Sequence, residues 1–186
     1  MHKVSEALRV RAGGALAERL TLSVFFLFAT VLGAYVEIPL PFTPVPLTLQ
    51  TFFVLAGAAW LGRAWSLGVQ ATYLGAGAAG VSVFAGAAMG GAHLLGPTAG
   101  YLWAFLPASF LVATLWPRVC ARGLWARAGL MSAAALLILV LGAAWLGLLL
   151  HLSAAQAIAM GVLPFIPGEA FKVAGAMLVC PGRRLN

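Results

Sequence analysis

Apolar residues run along this chain in long blocks, not in alternation with polar ones. Six blocks stand out: 20–36, 46–62, 64–80, 97–116, 129–150 and 166–182, separated by basic residues or by Pro/Gly clusters. Apolar stretches of about 17–25 residues cross a bilayer as helices, whereas a membrane β-barrel needs short segments of alternating polarity. The blocks here are continuous and rich in Leu, Ala and Gly, so they predict helices. The fold class expected is an all-α membrane protein, a bundle of six transmembrane helices. The second and third blocks lie near the lower length limit, and a turn as tight as Gly62-Arg63 leaves their shared boundary loose.

Composition supports this pattern. Of 186 residues 63% are apolar and 8% charged, with a mean hydropathy of +1.03, against roughly half apolar and about a quarter charged in a soluble domain. A water-facing surface cannot be built from so few polar groups. The net charge of +7 would suggest nucleic acid in a soluble protein, so the positions of the basic residues decide. Lys3, Arg9, Arg11 and Arg19 precede the first block, Arg63 divides the second from the third, Arg118, Arg122 and Arg127 lie together, and Arg183 and Arg184 end the chain. Threading the blocks N-in and C-in puts every one of these on one side. The outer segments 37–45, 81–96 and 151–165 then carry no Lys or Arg. This positive-inside pattern predicts a multi-pass protein of the cytoplasmic membrane without a nucleic-acid partner. The organisation expected is a cytoplasmic N-terminal segment 1–19, a six-span domain 20–182 and a basic cytoplasmic tail 183–186. A short interfacial helix weakened by Gly13-Gly14 and an unstructured tail both fit the first segment.

No catalytic set and no metal site are expected. Cys120 and Cys180 fall at the ends of spans, His2, His93 and His151 are scattered, and Asp is absent. No G-x-x-x-x-G-K-[ST] string could cradle ATP phosphates. Chemistry gathers on the outer side instead. The segment EIPLPFTPVPLTLQT (37–51) holds Pro39, Pro41, Pro44 and Pro46, which fix φ and remove donors, so a stiff flap or lid is expected. Thr48, Gln50 and Thr51 follow it at the start of the second span, with Thr48 and Thr51 expected on one helix face. Around Gly96-Pro97-Thr98 a helix start with Pro in its first turn is expected, and Thr98 and Tyr101 share a face. Gln70 and Tyr73 stand three apart in the third span. His93 reads better as a loop histidine than as a ligand contact. In PFIPGEAFK (164–172), Glu169 falls in the first turn of the last span, where the helix dipole favours a carboxylate. Lys172 follows one turn deeper. A Lys within a span costs about 2.5–3.5 kcal/mol on insertion scales, so it should be paired and face the protein interior.

The strings PFTPVPLTLQT (41–51), YLGAGAAGVSVFAG (73–86), LLGPTAGYLWAF (94–105) and PFIPGEAFK (164–172), in this order within six spans, closely resemble the BioY family of biotin transport proteins. The similarity covers about residues 20–182. One position departs, because the family usually has Asp where this chain has Glu169. The resemblance implies the substrate-capturing subunit of an energy-coupling-factor (ECF) transporter, with biotin as transported ligand and no cofactor. Its partners would be a transmembrane coupling subunit and two ATPases that hydrolyse ATP. It also makes Glu169 and Lys172 the leading ligand contacts, supported by Gln50, Thr48, Thr51, Tyr73, Thr98 and Tyr101. Ala29 and Gly33, small and four apart on the first span, could dock the coupling subunit or pack within the bundle. Two other classes remain on residues alone: an ion-coupled transporter working by itself, which needs a titrating carboxylate such as Glu169, and an intramembrane enzyme, for which no nucleophile–base set is present.

Overall fold

A single helix, α1, runs from His2 to Tyr35, joining the N-terminal segment to the first span without a break at Gly13-Gly14. The computed structural model describes residues 2–180, with side chains from Gly13 onward; the tail 183–186 lies outside the described residues. After α1, the chain pairs β1 (Glu37–Ile38) antiparallel with β2 (Leu47–Thr48), Glu37 opposite Thr48 and Ile38 opposite Leu47. Six further helices follow: α2 (Gln50–Leu61), α3 (Arg63–Ala78), α4 (Ala99–Val119), α5 (Leu124–Leu149), α6 (Ala154–Gly161) and α7 (Ile166–Val179).

Among the described residues, four stretches are long and apolar enough to cross a bilayer: Gly13–Tyr35, Ala99–Val119, Leu124–Leu149 and Ala154–Val179. The second predicted block is shorter as a helix than as a run of apolar residues. Residues 39–46 do not run extended as the prolines suggest but turn back as the loop between β1 and β2, Leu47 and Thr48 join the β ladder, and α2 is left with 12 residues, about 18 Å at 1.5 Å per residue. Helix α3 has 16 residues. Gly62, at φ +76°, makes the abrupt reversal between them in a backbone region that costs other residues energy.

The third outer segment also departs from expectation, because residues 154–161 form α6 instead of a loop. Its start is a capping box: the Ser153 hydroxyl accepts from the Gln156 amide, and the Gln156 side chain accepts from the Ser153 amide. Pro164 and Pro167 then stand in the first turns of a 3₁₀ turn and of α7, where a missing N–H costs nothing.

Helix α2 is central and touches α1, α3, α4, α5 and α7, with Val54 and Leu55 fully buried. The outward faces stay apolar: Val24, Phe28 and Leu32 on α1, Leu136 and Val140 on α5, and Phe171 and Leu178 on α7 are all exposed. Such faces fit hydrocarbon as the surrounding solvent. Ala29 and Gly33 do not belong to them. Ala29 is buried, and a Cβ on Gly33 would lie 3.0 Å from the Phe53 ring and 3.1 Å from the Gln50 amide. This small-residue pair lets α1 approach α2 closely and offers no surface to a partner, which corrects the docking expectation.

Candidate ligand site

The loops between α1 and α2 and between α3 and α4 meet the starts of α2, α4 and α7 at one end of the bundle. They enclose a cavity of about 530 Å³, counting the part open to solvent. Its walls are largely apolar: Val45 of the proline segment, Leu102 and Phe105 of α4, Ile138 and Leu139 of α5, and Phe165. Val45 is buried, so the proline segment is tucked into the bundle through this side chain while Pro39, Pro41 and Pro44 remain at the surface.

One polar cluster dominates the wall. The Thr51 hydroxyl donates to Glu169 Oε1 at 2.9 Å and accepts from Lys172 Nζ at 2.8 Å, and Lys172 pairs directly with the same Glu169 oxygen. All three residues are buried and line the cavity. Hydrogen-bonding capacity remains on both charged groups. Glu169 Oε2 is buried with no partner among the described residues, and an ammonium has three N–H donors, of which Thr51 and Glu169 take two. A buried carboxylate oxygen left unmatched is costly in an apolar setting, and in a cavity it marks the place where a donor is missing.

The second polar group is a chain of hydrogen bonds that shapes the wall. Thr48 Oγ1 donates to Gln50 Oε1, Gln50 Nε2 donates to the Tyr73 hydroxyl, and that hydroxyl donates to the Val83 carbonyl at 3.0 Å. Thr48 and Gln50 reach the cavity. Tyr73 does not, because it stands fully buried behind Gln50 and ties it to the loop after α3. It is a positioning residue, a correction to its expected place among ligand contacts. Thr48 is a strand residue, not a helical one, so its expected helix face with Thr51 is also corrected. Thr98 and Tyr101 both line the cavity at the start of α4. The Tyr101 hydroxyl is committed to the Gly161 carbonyl at 2.7 Å, leaving its ring to face the space.

His93 has a larger part than the sequence suggested. It lines the cavity, lies 3.1 Å through Nε2 from Thr98 Oγ1, and stacks on Phe84 with centroids 5.0 Å apart. Phe84 is itself fully buried and edge-on to Tyr73. Partial burial holds the His93 imidazole below its usual range, so it is neutral at physiological pH. The unfolded chain therefore binds the proton first as pH falls through about 6.5, and the loop loses stability from there downward. Thermal stability should accordingly decline as pH falls below about 6.5, and His93→Gln should flatten that part of the profile. A parental slope in His93→Gln assigns the decline to another group.

A sequence model of the BioY family matches residues 3–185. A probable biotin transporter BioY from Pyrococcus horikoshii is 36% identical over 163 residues, covering 88% of this chain and 94% of that protein. The biotin transporter BioY of Thermotoga maritima is 35% identical over 149 residues, with 80% and 85% covered. Among solved structures, the S-component for biotin from an ECF-type ABC transporter superposes with a TM-score of 0.83 over 90% of each chain, at 22% identity. The fold, the long full-length matches and the motifs that build the cavity agree, and the chain belongs to the BioY family.

Proposed function

We propose that this chain captures biotin in the cavity and serves as the substrate-binding subunit of an ECF-type uptake system. The observation that carries the reading is the unmatched Glu169 Oε2 beside an ammonium with a spare donor. A cyclic urea presents an N–H next to a carbonyl oxygen, which complements that acceptor–donor pair. The thioether ring and valerate chain suit the walls formed by Leu102, Phe105, Ile138, Leu139 and Phe165. The ureido head then lies against Glu169 and Lys172, and the carboxylate end reaches toward His93 and Thr98. The names of the relatives support the same ligand.

The basic residues support six spans threaded N-in and C-in through the cytoplasmic membrane, with the cavity on the outer side. The short α2 is accommodated by the protein around it, since α1, α3, α4, α5 and α7 all touch it and most of its residues are buried. Residues 39–46 act as a lid in this reading, stiffened by Pro39, Pro41, Pro44 and Pro46 and closed by Val45. Energy comes from partners, a transmembrane coupling subunit with two ATPases, since the chain has no phosphate-binding loop.

Calorimetric titration of the purified chain, without nucleotide or other subunits, tests the proposal. Saturable biotin binding at micromolar concentration or below is expected. No heat, together with no competition against labelled biotin, overturns it.

A further inference from the structure

A second cavity, about 610 Å³ with its open part, adjoins the first on the loop side and shares Pro46, Ala85, His93 and Thr98 with it. The hydrogen-bonded His93–Thr98 pair therefore stands at the junction of the two spaces. The outer chamber differs from the inner one in its charge. Its one acidic side chain is Glu37 of β1, half-buried and in no ion pair among the described residues. The segments 36–49, 79–98 and 150–165 contain no Lys or Arg, and burial holds His93 below its usual range. The ladder holds the Glu37 backbone opposite Thr48, so the residue carrying the carboxylate has a set place in the chamber wall.

From this arrangement we infer that the outer chamber is a binding site for a cationic extension of the ligand, and that the protein takes up biotin amides bearing an ammonium group as well as free biotin. The inference rests on the reading of the inner cavity as a biotin site. With the ureido head at Glu169 and Lys172, the ligand's far end passes His93 and Thr98, and anything joined to it enters the chamber that Glu37 faces. An amide at the junction loses the negative charge of the free acid and still meets neutral hydrogen-bonding partners. Beyond it, Glu37 favours an ammonium and repels a carboxylate.

The test compares three ligands on the full-length purified protein: free biotin, a biotin amide of a short alkyl diamine, and the amide of matched length that ends in a carboxylate. The cationic amide should bind about fivefold more tightly than the anionic one, the worth of one partly exposed charge pair. Glu37→Gln should erase that preference and leave free biotin unchanged, which also reports that the variant is folded. In the parent protein the preference should shrink as salt is raised. Equal affinity for the two amides, or exclusion of both while free biotin binds, overturns this inference alone. A preference that survives both Glu37→Gln and high salt overturns it too. Failure of free biotin to bind overturns the reading beneath it.

Discussion

Lys172→Met is expected to lose biotin binding by about 30- to 150-fold or more, equivalent to 2–3 kcal/mol for a polar ligand group left unpaired, and to lower stability at the same time. By insertion cost alone, an apolar residue here would ease the span. The structure changes that expectation, because Thr51 and Lys172 share one oxygen of a buried carboxylate. Removing the ammonium strands Glu169 as an uncompensated charge, which costs about 3–5 kcal/mol. The double variant Lys172→Met/Glu169→Gln separates the effects. It should recover most of the melting temperature in detergent while biotin binding stays lost, since neither the charged acceptor nor the charged donor survives. Parental affinity in either variant would make the pair a structural one. Lys172→Arg should also bind poorly, because a wide forked guanidinium cannot occupy the point between Thr51 and Glu169 that a compact ammonium fills.

A single added methyl group should do comparable damage at Gly77. A Cβ there would lie 2.0 Å from Phe84 Cζ and 2.4 Å from Cε2, far inside van der Waals contact, and the ring has no free space because Phe84 is fully buried between Tyr73 and His93. Gly77→Ala therefore pushes out the aromatic anchor of the loop that carries His93 and closes the wall behind Gln50. Overpacking of this kind costs about 1–3 kcal/mol, and biotin affinity should fall by about tenfold or more as the loop shifts. Gly75→Ala is the control. Two residues away on the same helix, its Cβ meets nothing within 4 Å, so that variant should bind as the parent does and gain a little helix stability. Phe84→Leu should partly rescue Gly77→Ala. Equal behaviour of the two alanine variants would mean that the loop adapts without cost.

The parts of this protein that could be read from sequence are those written in local chemistry. Lys172 is costly in lipid wherever it sits, which forces a partner one turn away, and the geometry has Glu169 there. Proline fixes φ along residues 39–46, but the reversal that pairs Ile38 with Leu47 is not written in that stiffness. Three other features depend on distances that no spacing rule carries. Ala29 and Gly33 show a helix face suited to close packing, but the face gives no sign of whether α2 or a foreign helix fills it. Tyr73 lies a few ångströms behind the wall, and its hydroxyl is spent on Gln50 and Val83. His93 gains its place through a stack on Phe84, which is itself set by Gly77. The missed start of α6 is different, since the Ser153…Gln156 capping box is visible in the sequence. Its few apolar residues lie between two long spans, where hydropathy alone does not mark a separate helix.

The cluster of Thr51, Glu169 and Lys172 also fixes how the site responds to the membrane voltage. Its ammonium and carboxylate cancel, so with Lys172 and Glu169 ionised the charged pair contributes zero net charge. Any rearrangement that carries the loaded site through the transmembrane field then moves no charge belonging to the pair, and the potential acts only on what the ligand brings. Each uncompensated elementary charge would gain or lose about 2.3 kcal/mol per 100 mV. A lone Lys or Glu in the same position would tie every such rearrangement to the resting potential, whereas the paired site frees it from that dependence.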